Sequence, residues 1–161
     1  MPVEVTNLAR GKPVTSSAAS PVRGDLSKIT DGSKEAFGFD LVEIKAGVQW
    51  VQVDLLAEHS IYAIAIWHDA YFHYPVTRSV IVQVSNDSSF TNNVRTLFNN
   101  DFENCAGFGV GTDKEYFESH FGKSIAGNGA NARYVRCYSN GNSNGKLNGY
   151  AEVEVWGLPK P

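Results

Sequence analysis

The chain has 161 residues, 42% of them apolar, with 14 Lys and Arg against 17 Asp and Glu, four His, two Cys and 15 Gly. That length fits one globular domain over 1–161 whose core can close without a disulfide or a metal, since a chain of this size takes roughly two-thirds of its unfolded surface out of water. A net charge of −3 and a pI near 5.8 leave no basic field to neutralise phosphates, which argues against nucleic acid as a partner, and no run approaches the roughly 18 apolar residues of a membrane span.

Aromatic and β-branched residues are plentiful and no long segment shows a 3.6-residue apolar period, so the chain reads as all-β. In chain order the strands are 48–55 (VQWVQVDL), 60–67 (SIYAIAIW), 79–85 (SVIVQVS), 133–139 (RYVRCYS) and 152–156 (EVEVW). Both alternating sets of 60–67 are mostly apolar, which predicts a central strand covered on two faces. In the last two, Val135, Cys137, Val153 and Val155 alternate inward while Arg136, Glu152 and Glu154 form a polar face. Segment 113–121 admits a short helix, capped by Thr112 with Glu115, or an edge strand through Tyr116 and Phe117.

Four segments, 32–47, 68–77, 99–112 and 140–149, are longer than hairpin turns and hold aromatic residues that disorder would not favour; we read them as one binding rim. Residues 158–161 (LPKP) have a linker's composition, and no export signal opens the chain, so the domain is expected to come from a longer, exported parent.

Five ordered segments, NLARGKPVTSS (7–17), KITDGSKEAF (28–37), WVQVDLL (50–56), RYVRCYSNG (133–141) and AEVEVWG (151–157), together resemble the discoidin-like domain, also called coagulation factor five/eight type C. That family overlaps the galactose-binding-like carbohydrate-binding modules of family thirty-two. The resemblance runs over nearly the whole chain. It implies a β-sandwich jelly roll of about eight main antiparallel strands in two sheets. Animal members join the two ends of the domain by a disulfide, whereas this chain has only Cys105 in a loop and Cys137 in a strand. The departure favours a bacterial-type module with free thiols, Cys137 packing as a small hydrophobe.

The resemblance further implies a buried structural calcium between the first long loop and the last strand. The matching positions are Lys28, Asp31, Ser33, Ala36 and Glu152, with carboxylate oxygens from Asp31 and Glu152, a hydroxyl or carbonyl from Ser33, and backbone carbonyls from Lys28 and Ala36. Hard oxygen donors of this kind suit calcium. The plain alternative is a turn at Asp31-Gly32 and a solvated Glu152.

Segment 68–78 crowds two imidazoles, a carboxylate, three aromatic rings and a guanidinium behind a buried strand. Pyranose rings pair apolar C–H patches with a fringe of hydroxyls, so sugar sites combine an aromatic platform with planar polar groups. His68, Asp69, His73 and Arg78 are candidates for the hydroxyls and Tyr71, Phe72 or Tyr74 for the ring. Sugar-binding relatives use this loop for a His or Arg contact, which selects His68, Asp69 and Arg78, with Asn142, Lys146 and Tyr150 facing them from the last loop. Against these stand structural uses: Trp67 as core, Tyr74-Pro75 as a turn, and Arg78 paired with Asp69.

Phe37-Gly38-Phe39 suggests an apolar finger of the kind membrane-binding relatives insert, but Asp31, Glu35, Asp40 and Glu43 outweigh Lys34 and Lys45, which disfavours a membrane. His68, Asp69, His73 and Asp101 make too loose a set for acid–base catalysis, and no nucleophile elbow, zinc motif, phosphate loop or dinucleotide fingerprint occurs. The expectation is a monomeric, calcium-stabilised, lectin-like extracellular, periplasmic or cell-surface module. It would be non-catalytic and hold an attached enzyme on a polysaccharide or glycan; the rival is an adhesion domain for a protein or membrane surface.

Overall fold

The computed structural model describes residues 4–35 and 40–159. Eight strands form: β1 (Thr6–Asn7), β2 (Val14–Ser16), β3 (Val42–Ile44), β4 (Gln49–His68), β5 (Ile81–Ser85), β6 (Arg95–Asn99), β7 (Lys123–Ser139) and β8 (Asn148–Pro159). All their pairings are antiparallel, in the order β1-β8-β4-β7-β5-β6, with β2 added to β4 and β3 to β8. The described residues contain no α-helix; one 3-10 turn, Leu26–Thr30, is capped by the Asp25 carboxylate accepting from the Ser27 amide.

The expected strands 48–55 and 60–67 are one strand that turns a corner. Before the corner, β4 pairs with β2 and the C-terminal half of β7; after it, β4 lies between β8 and the N-terminal half of β7. The register breaks between Asp54 and His59, with Leu56 at a φ of 69°. Bent long strands passing from one layer to the other make the sandwich from one continuous ladder. Arg133 locks the corner through two parallel bonds to Asp54, at 2.8 and 2.9 Å. That pairing holds the Asp54 carboxyl below its ordinary range.

The central position expected for 60–67 holds, although Tyr62 is exposed, because a second bulge between Ile61 and Ala63 brings Ile61, Ile64 and Ile66 to the interior. Val51, Val53, Val82, Val84, Val135 and Cys137 join those isoleucines, Val153 and Val155 in one core. Both cysteines are free, and burial raises the Cys137 thiol to about 12, so it packs as a hydrophobe.

Three expectations are corrected. Arg136, Glu152 and Glu154, read as a polar face, are all buried. Their burial is tolerated because each polar head is answered. Arg136 stacks between Trp50 and Phe90 at 4.0 and 4.1 Å and donates to Gln52, while Glu154 receives Lys34 at 2.9 Å. Segment 113–121 is neither helix nor strand. It crosses the end of the sandwich irregularly, with Tyr116 against Phe98 and Glu118 buried. Leu158 and Pro159 are not linker: they belong to β8 and pair with Ser60 and His59.

Candidate functional site

At the end of the sandwich where β4 stops, two loops are zipped together through their backbones. The Arg78 amide donates to the Gly141 carbonyl at 2.9 Å and the Asn140 amide to the Arg78 carbonyl at 2.8 Å. Further out, the Ser143 amide donates to Val76, and Asn144 Nδ2 reaches the carbonyls of Tyr71 and Phe72 at 3.2 and 2.7 Å. Asn142 spends its side-chain oxygen on its own turn, accepting from the amides of Asn144 and Gly145. Loop 69–80 is thereby fixed against loop 140–147.

Three hollows lie along this rim. The first, about 580 Å³, is lined among others by Arg78, Asn100, Phe102, Glu103, Glu115 and Lys146. The second, about 420 Å³, includes Leu41, Asp69, Tyr71, Phe72, Asn142 and Lys146. The third is formed by Ala70 to Tyr74 and contains His73. Phe72, His73 and Tyr74 all have left-handed backbone, with φ of 56°, 64° and 50°. For residues with a Cβ such a turn is costly. Its result is that the Phe72 and Tyr74 rings stand 64% and 60% exposed.

Arg78 and Lys146 are exposed and make no salt bridge among the described residues, so the pairing of Arg78 with Asp69 does not form; the two line different hollows. Asp69 is half-buried, with one oxygen accepting from the Tyr71 amide, and burial raises its carboxyl above the ordinary range. Gly149 permits its close approach, since a Cβ there would lie 2.9 Å from the Asp69 Cβ.

Two expected ligand residues are instead structural. His68 is 1% exposed, its Nδ1 sits 2.9 Å from the equally buried Glu118 carboxylate, and its ring leans on Tyr150 at 4.8 Å. Tyr150 is 0% exposed; its hydroxyl shares a 2.9 Å bond with Ser139 and donates to the Cys137 carbonyl. A sugar reaches neither. The end of β4 and the start of β8 are still inside the sandwich, so sequence adjacency to an exposed loop did not make them part of it. Trp67 is core as expected, donating from its indole to the His120 carbonyl.

Asn100 and Phe102 were not singled out by sequence, although their segment was assigned to the rim. Asn100 is 3% exposed: its Oδ1 accepts from the Val80 amide at 2.7 Å while Nδ2, buried at the wall of the first hollow, has no partner. An unpaired buried amide is costly and asks for an acceptor. Only the fold, which sets Asn100 beside Val80, makes that visible. Asp101, with Oδ2 held by the Ala106 amide, is wholly buried and supports the same loop.

On the seam between the first long loop and β8, Glu152 is buried and both its oxygens accept from the Gly32 amide, at 3.0 and 3.1 Å. Burial, with Asp31 close by, pushes its carboxyl up to about 8. Asp31 accepts from the Ser33 amide at 2.7 Å, and Lys28 offers its carbonyl at the turn and its ammonium to Asp40. Thus Lys28, Asp31, Ser33 and Glu152 come together, whereas Ala36, like Phe37-Gly38-Phe39, lies outside the described residues. Among the described residues no three His, Cys, Asp or Glu side chains gather as a metal cage, so most ligands at this seam would have to be backbone or hydroxyl oxygens. The oxygens of Asp31, Ser33 and Glu152 suit a hard cation, but the Arg10 guanidinium packs against Gly32 beside them and already faces the Glu152 carboxyl.

No protein-family model and no curated protein sequence matches the chain. Solved structures do. It is similar to chitosan-binding module 1 of a chitosanase/glucanase from Paenibacillus sp. IK-5, at 23% identity and a TM-score of 0.66 over 94% of this chain and 99% of that one. The lectin binding domain of lectinolysin, as a His mutant complexed with Lewis b, matches at 19% identity and a TM-score of 0.66 over 98% and 100%. A family 89 glycoside hydrolase from Clostridium perfringens matches at 18% identity and a TM-score of 0.68, this chain spanning 96% of itself but 15% of that enzyme. The fold is the discoidin-like β-sandwich of these modules.

Proposed function

We propose that the domain is a non-catalytic carbohydrate-binding module that holds an attached catalytic domain on a polysaccharide or glycan. The observation that supports it best is the rim: exposed aromatic rings beside the exposed Arg78 guanidinium, Lys146 ammonium and Glu115 carboxylate, in open hollows large enough for pyranose rings. Its neighbours in fold include proteins described as binding chitosan or complexed with Lewis b, and one is a segment of a glycoside hydrolase. Such a site works by proximity: a weak contact raises the effective concentration of substrate around the attached enzyme. The parent would be exported and the module monomeric.

We also propose that calcium binds at the seam, held by the Asp31 and Glu152 carboxylates, the Ser33 oxygen and the Lys28 and Ala36 carbonyls. The supporting feature is Glu152, a buried carboxylate with Asp31 nearby, whose combined charge a divalent cation would neutralise together with the neighbouring Arg10 guanidinium. Its role would be to tie the first loop to β8.

A glycan and polysaccharide array, run in calcium with the wild-type domain and with Arg78→Ala, tests the first reading. Saccharide binding that weakens in the variant supports it. Silence on every glycan, together with binding to a protein or to anionic vesicles, would replace it with the adhesion reading.

A further inference from the structure

The three hollows are arranged in file. The first and second share Gly145 and Lys146 in their walls, and the second and third share Tyr71 and Phe72. Each end of the second hollow is therefore a side chain that also faces the next. A site for one terminal sugar needs a single closed recess; a file of open recesses joined by shared walls matches a ligand that repeats along its length.

The chemistry alternates along the file as well. The first hollow is polar, with Arg78, Lys146, Glu103 and Glu115 around it. The third is built from Tyr71, Phe72, His73 and Tyr74, whose rings are exposed. A linear chain of 1,4-linked pyranoses presents hydroxyls at its edges and C–H patches on its faces at every residue, so it can satisfy a polar recess with one sugar and stack on an aromatic one with another.

Resting on the carbohydrate reading above, we propose that the rim is a track for the interior of a linear 1,4-linked pyranose chain, taking at least two consecutive sugars across Lys146 and Phe72. Arg78 fixes one sugar in the first hollow, and Lys146 stands at the crossing. The aromatic turn 71–74 holds the next. Cations and carboxylates both line the track, so its preference for charge is set by which of them the chain pairs with.

The test is titration calorimetry of the intact domain, in calcium, with three series of one to six residues: β-1,4-linked N-acetylglucosamine, glucosamine and mannuronate. In at least one series Kd is expected to fall about tenfold or more between one residue and four. Phe72→Ala and Lys146→Ala, both at exposed positions, should each cut the affinity of the tetramer by a larger factor than that of the monosaccharide; Arg78→Ala should weaken short and long ligands alike. A monosaccharide that binds as tightly as the hexamer would overturn the track and leave the carbohydrate reading standing. So would Phe72→Ala and Lys146→Ala acting equally at every length, or hits on the array confined to glycans outside all three series. Silence in the three series and on the array would overturn both.

Discussion

The rim and the Glu152 seam are both places where a loop meets the end of a strand, yet they handle polar groups in opposite ways. At the rim, Arg78, Lys146, Glu103 and Glu115 stay exposed, and the loops are held by backbone bonds such as Arg78 to Gly141, leaving side chains free. At the seam the carboxylate of Glu152 is withdrawn from water and tied to the backbone of Gly32. The difference separates two tasks. Groups left in water can exchange it for a ligand at little cost to the fold, whereas a buried charge must be answered for the fold itself to be stable. Substitutions at the two places should therefore have different readouts.

The largest effect is expected beneath the rim rather than on it. His68→Ala removes the imidazole that pairs with the buried Glu118 carboxylate and leaves a cavity against Tyr150. A loss of about 3 kcal/mol follows from an unsatisfied buried group plus lost packing. For a domain of this length that is roughly 6–12 °C in Tm. Thermal unfolding checks it; a variant as stable as the parent would place His68 among the free rim residues after all. Any loss of glycan binding in this variant should track the unfolded fraction.

Next is the seam. If calcium occupies it, adding the ion at about a hundred times its Kd should stabilise the domain by about 2.7 kcal/mol, and a chelator should reverse the shift. Glu152→Gln keeps the shape of the side chain and should abolish the calcium-dependent part of Tm, while glycan affinity of the folded protein stays within about twofold. Calcium-dependent stabilisation that survives Glu152→Gln would put the ion elsewhere.

Much of this was legible in the sequence, and the misses share one cause. Alternation identified the β fold, the central strand and the inward Val135, Cys137, Val153 and Val155, because burial with a period of two is a property of neighbours in the chain. The density of rings and charges in 68–78 marked a loop whose Tyr71, Phe72 and Tyr74 are exposed. What alternation cannot report is whether the other face of a strand is later covered. Arg136, Glu152 and Glu154 read only as a polar face because their covers, Phe90 of one distant loop, Gly32 and Lys34 of another, are remote in sequence. The same blindness assigned His68 to the ligand and passed over Asn100, whose free amide depends on its other atom bonding Val80.

On the rim itself effects should appear in binding alone. Arg78→Ala is expected to weaken glycan binding about tenfold, near 1.4 kcal/mol, while stability changes by less than about 0.5 kcal/mol, since the side chain is exposed and without a salt bridge. Parallel calorimetry and thermal melts separate the two. A large fall in Tm would mean the guanidinium braces the loops.

The smallest effect is the sharpest test of where the rim ends. Tyr150 lies one residue from Gly149, whose carbonyl accepts from the Asp69 amide at the hollow, yet its hydroxyl points to Ser139 and the Cys137 carbonyl. Tyr150→Phe keeps the ring that His68 packs against and removes only those bonds; Ser139 retains Asn148. About 1 kcal/mol of stability should be lost, the ordinary net worth of a buried hydrogen bond. Glycan affinity should not change. Were affinity to fall with Tm unmoved, the hydroxyl would have to reach the ligand, and the boundary between the sandwich and its binding rim would lie one layer deeper than the burial of Tyr150 implies.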